Sequence, residues 1–139
     1  MTQINPYLRF GGNCREAMSF YQECLGGDLT LTTVGETPMA KQMPAEAQTQ
    51  IMHATLSNGR VTLLGSDMVG TEGLIRGNAL SLQLECDSEK ELRTLYSKLS
   101  SGGKATYPAG PSFWGGVYGQ LTDKFGNGWM LNYAGGSRS

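Results

Sequence analysis

One histidine stands in the chain, in the middle of the run QIMHATLS at residues 50–57. The unperturbed pKa of a histidine lies near physiological pH, so His53 can carry a proton or hold a ligand atom at neutral pH. Asp67 closes the next apolar run, LLGSD, and is the carboxylate that could partner it. His53 and Asp67 are therefore the candidate catalytic residues. Each also has a plainer reading. A histidine can be satisfied on a sheet face, and an aspartate at a strand end commonly accepts backbone N–H groups in a turn. A Ser-His-Asp arrangement could be built only around His53, and no GxSxG accompanies it. No phosphate-binding GxxxxGK[ST] loop occurs either.

The most ligand-like stretch is PSFWGGVYG, residues 111–119. Phe113 and Trp114 offer apolar area, and Gly115, Gly116 and Gly119 allow a backbone or a ligand to approach closely. The same stretch reads equally as a packed lid. The candidate ligand-binding residues are Tyr7, Trp114, Tyr118, Trp129 and Asn132. Trp129 and Asn132 fall on opposite faces of one strand by parity, so only one of them faces a given cavity. Cys14, Cys24 and Cys86 are the three cysteines, an odd number that suits free thiols in a reducing compartment. Cys14 and Cys24 lie ~15 Å apart on one predicted helix, too far for a disulfide. With no CxxC, a thiolate zinc site is not expected.

The elements that must position these residues are written twice. A strand over 5–10 leads to a helix over 13–25, with Asn13 as N-cap and Glu16 completing a capping box. Gly26-Gly27 stops that helix. Strands follow over 28–36, 50–57 and 60–67, with a loop over 37–49 and an Asn58-Gly59 hairpin signal. The second copy begins with a strand over 79–86, in which Leu80, Leu82 and Leu84 alternate with Ser81, Gln83 and Glu85. A helix over 87–100 follows, capped by Asp87 or Ser88 with Glu91 in support, and Gly102-Gly103 ends it. A short strand over 104–107, stopping before Pro108, precedes a final hairpin of 116–122 and 128–134. The repeat implies an α+β fold of two paired βαβββ modules whose curved mixed sheets form a cleft. The expected organisation is a single domain over 1–139, with module one at 5–67, a linker at 68–78 and module two at 79–134.

Composition excludes several functions. With 11 Lys plus Arg against 12 Asp plus Glu, the chain lacks the basic footprint that nucleic acid demands. No segment is long and apolar enough for a membrane span, and MTQINPYLRF does not look like a signal peptide, so a cytoplasmic location is expected.

The stretches NPYLRFGGNCREAMSFYQECLGG, QIMHATLSNGRVTLLGSD and PSFWGGVYGQLTDKFGNGWMLNY together resemble the PhnB-like branch of the glyoxalase, or vicinal-oxygen-chelate, superfamily. The resemblance runs over nearly the whole chain, residues 5–133. It implies paired βαβββ modules, a cleft between them and a homodimer. Members of this branch often carry the label 3-demethylubiquinone-9 3-methyltransferase. No GxGxxG stands between a strand and a helix here, and the glycine pairs follow helices, so methyl transfer is not expected. In metal-dependent relatives the ligand positions would fall on Asn5, Leu64, Ser81 and Met130, none a good metal ligand. The expectation is a small-molecule-binding protein with no metal and no cofactor, and with no nucleic-acid or membrane partner. A metal-assisted lyase, isomerase or dioxygenase akin to glyoxalase I is the alternative. Sequestration of an aromatic or antibiotic-like compound is a third reading.

Overall fold

The structure, a computed structural model, describes residues 2–69 and 73–135. The chain divides into two compact units, Met1–Ile75 and Arg76–Ser139. Unit one runs β1 (Tyr7–Arg9), α1 (Cys14–Leu25), β2 (Asp28–Thr33), β3 (Ile51–Ser57) and β4 (Thr62–Ser66). Unit two repeats the sequence with β5 (Leu82–Glu85), α2 (Glu89–Ser100), β6 (Lys104–Pro111), β7 (Val117–Thr122) and β8 (Gly128–Tyr133). The strand orders are β1-β4-β3-β2 and β5-β8-β7-β6, so the two units share one connectivity. In each, the first strand pairs parallel to the last, and the remaining pairs are antiparallel. The linker expected at 68–78 spans the end of unit one and the start of unit two, and its residues 70–72 lie outside the described residues.

Each helix covers one sheet face. In unit one, Ala17, Met18 and Tyr21 of α1 are buried together with Ala54, Leu56 and Leu63 of the sheet. Gly65 is small for this reason: a Cβ there would meet the Met18 sulfur at 3.0 Å and the Cys14 sulfur at 3.3 Å. In unit two, Leu92, Tyr96 and Leu99 of α2 are buried with Leu121, Trp129 and Leu131. A Cβ on Gly119 would stand 2.8 Å from the Tyr96 ring. The Tyr96 hydroxyl, carried into this core, sits 3.0 Å from the Tyr107 carbonyl and 2.8 Å from that of Gln120.

The helix starts differ in origin. Ser88 caps α2 as expected: its Oγ accepts from Glu91 N–H at 3.0 Å, while the Glu91 carboxylate accepts from Asp87 N–H at 2.8 Å. Asn13 makes no side-chain cap for α1. Its work is done from the far end of the unit by Asp67, whose Oδ1 accepts from Gly12 and Cys14 N–H, each at 3.0 Å.

Several elements depart from expectation, three of them in ways that local contacts explain. The strand expected over 28–36 stops at Thr33, because Glu36 turns back and accepts from the Thr33 N–H at 2.8 Å and hydroxyl at 3.0 Å. The loop over 37–49 holds two 3₁₀ turns, Pro38–Gln42 and Ala45–Ala47. Gln48 Nε2 ties it together by donating to the carbonyls of Ala40 at 2.9 Å and Met43 at 3.1 Å. The strand expected to stop before Pro108 runs on to Pro111. It is the edge strand, where a missing N–H is tolerated, and its register slips on both sides of Tyr107.

Candidate functional site

Cross-strand partners share a face, so the register assigns the side of each sheet that the helix leaves open. In unit one the pairs Tyr7↔Leu64, Thr55↔Leu64, Thr30↔Thr55 and Thr32↔His53 put Tyr7, Thr30, Thr32, His53, Thr55 and Leu64 on that open face. The ring of His53 lies 6.1 Å from that of Tyr7, and its Nε2 is 3.2 Å from Thr55 Oγ1. The Arg9 guanidinium lies 5.5 Å from the Tyr7 ring centroid. His53 and Tyr7 are both exposed, so this patch is an open polar surface rather than a pocket.

Asp67 is not the partner of His53. It is 5% exposed, and its carboxylate is taken up by backbone. Oδ1 holds Gly12 and Cys14 as described, and Oδ2 accepts from Ile51 N–H at 2.9 Å. One side chain thus fastens the start of α1 and the start of β3 to the end of β4. Buried N–H groups need acceptors, and a carboxylate supplies enough lone pairs for three.

In unit two the pairs Gln83↔Met130, Glu85↔Asn132, Tyr118↔Asn132, Gln120↔Met130 and Tyr107↔Gln120 define the open face. Trp129 is on the other side, 1% exposed, with its indole N–H donating to Asp123 Oδ2 at 2.8 Å. Its expected ligand-binding role therefore gives way to a core role: the ring is packed under α2, and its one polar atom is satisfied within the chain. Asn132 is the member of the pair that faces outward. Its Nδ2 donates to both oxygens of Glu85, at 3.2 and 3.1 Å, and Gln83 Nε2 donates to the same carboxylate. Asn132 Oδ1 is buried and accepts no hydrogen bond. Leaving such an acceptor unmet costs about 1–3 kcal/mol. The amide cannot improve matters by turning over, because its oxygen would then face the carboxylate.

Aromatic rings stand beside this polar group. Tyr118 is the cross-strand neighbour of Asn132, and its hydroxyl accepts from Gln120 Nε2 at 2.8 Å. The Tyr107 ring meets Tyr118 edge-on at 5.9 Å, and Trp114 meets it edge-on at 5.7 Å. Trp114 and Phe113 form the tip of the turn between β6 and β7. Ser112 closes that turn through its N–H to the Gly116 carbonyl at 2.9 Å and its Oγ from the Gly116 N–H at 3.1 Å. Gly115 carries the turn at φ +94°, where a side chain would be strained. Trp114 is 43% exposed.

Of the sequence candidates, the structure brings Trp114, Tyr118 and Asn132 together, while Tyr7 and His53 share the open face of the other unit. Glu85, Gln83, Gln120 and Tyr107 were missed as site residues. The alternation of Ser81, Gln83 and Glu85 with leucines was the signal for the first two, and only the pairing with β8 gives them a destination.

The thiols take no part. Cys14, Cys24 and Cys86 are buried thiols. Burial pushes the Cys14 thiol up to about 12 and the Cys86 thiol up to about 11, with nearby carboxylates adding to both. Neither is a thiolate nucleophile at neutral pH.

The metal positions of the relatives offer no ligand set here. Leu64 and Met130 are apolar, and Asn5 and Ser81 are weak neutral donors. Among the described residues, no group of three or more His, Cys, Asp or Glu side chains could hold a metal ion. These residues do not fit a divalent metal centre.

A doubled βαβββ chain, with one face of each sheet under a helix and the other left to polar and aromatic side chains, defines a glyoxalase-like α+β fold. The chain belongs to the Glyoxalase/Bleomycin resistance protein/Dioxygenase superfamily, whose model matches residues 3–131. It is 31% identical over 137 residues to Protein YjdN of Escherichia coli (strain K12), covering 93% of each chain. The crystal structure of protein PA1353 from Pseudomonas aeruginosa is similar at 40% identity and TM-score 0.84, over 98% of this chain and 100% of that one. A Bacillus cereus structure described as a putative 3-demethylubiquinone-9 3-methyltransferase, PhnB protein, is similar at 25% identity and TM-score 0.75, over 96% and 100%. The chain is thus a PhnB-like member of the superfamily, as the sequence motifs led us to expect.

Proposed function

We propose that this protein binds a small aromatic molecule on the open sheet face of unit two. The observation that carries the proposal is the buried, unmet Asn132 Oδ1, set beside a carboxylate and a cluster of aromatic rings. A few convergent polar groups among aromatic side chains is the usual chemistry of a ligand site. Trp114 forms one wall, Tyr118 and Tyr107 another, and Glu85 with Asn132 fixes the orientation of the ligand. Tyr7 and His53, on the open face of unit one, form a separate patch, in which His53 is the group that could transfer a proton.

The methyl-donor chemistry in the description of the Bacillus cereus relative has little support in these residues. Gly26, Gly27 and Gly102 have φ of +76°, +104° and +75° and follow helix ends. They are C-caps rather than a phosphate-binding turn. A lyase or isomerase that works through a metal is disfavoured by the donor set.

The buried thiols suit a reducing cytoplasm, and no helix among the described residues is long and apolar enough to cross a membrane. A homodimer fits the exposed apolar side chains Phe113, Ile4 and Leu80, at 97%, 93% and 90% exposure.

Fluorescence tests the site directly. A fragment library is screened by thermal shift, and hits are titrated by calorimetry in wild type and Trp114→Ala, with tryptophan emission followed in the wild type. Binding should quench wild-type emission, and the variant should bind more weakly while keeping its melting temperature. A variant that unfolds, with affinity unchanged in its folded fraction, would make Trp114 a core residue and sink the proposal.

A further inference from the structure

We infer that the ligand taken by unit two is an organic cation, a planar nitrogen group of the amidinium or guanidinium kind attached to an aromatic ring; this rests on the ligand site proposed above. Two acceptors stand side by side on that face. Asn132 Oδ1 is unmet, and the Glu85 carboxylate beside it can take only donors. The two amides nearest Glu85, Gln83 Nε2 and Asn132 Nδ2, already donate to it, so they orient the carboxylate, and an anion set beside them would lie against its charge. The Gln120 amide likewise donates to the Tyr118 oxygen at 2.8 Å. A ligand carboxylate or phosphate would thus meet the negative charge of Glu85.

A planar N–H group has the opposite fit. One nitrogen can donate to Glu85 and a second to Asn132 Oδ1, which are adjacent because the Asn132 amide itself touches the carboxylate. The faces of Tyr118, Tyr107 and Trp114 then attract the charge, as aromatic rings attract cations. Oδ1 is covered in the chain as it stands, so a ligand nitrogen reaches it when a neighbouring side chain turns aside.

Three probes of one shape and different charge decide the matter: benzamidine, benzamide and benzoate, titrated by tryptophan fluorescence against the full chain. Benzamidine should bind at least tenfold more tightly than benzamide, and benzoate should not bind. Glu85→Gln removes the charge from an exposed side chain with little risk to folding. It should weaken benzamidine at least fivefold, and by more than it weakens benzamide. Asn132→Ala should weaken both, with the melting temperature of each variant recorded to separate lost binding from lost fold. Equal binding of benzamide, tighter binding of benzoate, or a Glu85→Gln variant with wild-type affinity for benzamidine would overturn the cation assignment. Binding of benzoate with quenching of Trp114 would overturn it while the aromatic site survives. Failure of all three probes together with the whole fragment library would overturn both.

Discussion

Replacing Asp67 by asparagine exchanges one oxygen for an NH₂ group and tests how unit one is held together. The carboxylate accepts three backbone N–H groups, from Gly12, Cys14 and Ile51, at 3.0, 3.0 and 2.9 Å. An asparagine offers one acceptor oxygen. Placed toward Gly12 and Cys14, it turns an NH₂ against the Ile51 N–H, donor against donor. Flipped, it strands the other two. At least one buried N–H is therefore orphaned, costing about 1–3 kcal/mol, and the surviving bonds lose charge assistance worth roughly 0.5–1 kcal/mol each. A destabilisation near 3 kcal/mol corresponds to a fall of about 9–15 °C in Tm for a chain of this size. Circular dichroism melts at pH 7 read it, with urea titration as a second measure. A variant melting within about 3 °C of wild type would refute the argument that this carboxylate ties α1, β3 and β4 together. Unchanged stability with lost turnover of a known substrate would instead restore Asp67 as a reacting group.

Other outcomes follow from the same packing. Gly119→Ala should destabilise by roughly 1–3 kcal/mol, since its Cβ would press on the Tyr96 ring and on Ala109 Cα; a neutral result in urea melts would show that α2 can shift. Trp114→Phe should leave emission from Trp129 alone, blue-shifted and poorly quenched by acrylamide, because Trp129 is 1% exposed; strong quenching would contradict its place in the core. The Cys14 and Cys86 thiols titrate higher in the folded chain, at about 12 and about 11, than the 9.0 of a free thiol. Folding therefore favours the protonated thiols, and their contribution is complete below about pH 9 and lost as pH rises through 11 to 12. Urea midpoints should fall between pH 8.5 and 10.5, and by less in a Cys14→Ala, Cys86→Ala double variant.

What was legible in the sequence was local. The Ser88 cap and its Glu91 support lie within four residues of each other, so a reader of the chain finds them. The cap of α1 comes from Asp67, 53 residues beyond Cys14, and no local rule points to it; Asn13, the residue with the right type in the right place, was a false lead. Alternation placed Trp129 and Asn132 on opposite faces. Which of the two faces the core depends on the side covered by α2, and that is settled by packing of Tyr96 against Gly119 rather than by parity. Pro108 looked like a strand stop because its edge position, where an absent N–H costs nothing, emerges only once the sheet is ordered. Glu85 was visible as one polar residue in an alternating run. Its partnership with Asn132 crosses 47 positions, and the orphaned oxygen beside it is a property of the assembled sheet.

The central claim is that the open face of unit two is the ligand site. Two-dimensional ¹H–¹⁵N NMR of the labelled chain, titrated with the fragment hits, tests it most directly. The amides of Glu85, Tyr118, Gln120 and Asn132 and the indole N–H of Trp114 should shift together and saturably, while the indole N–H of Trp129 stays in place. Saturable binding that leaves those resonances unmoved would contradict the account.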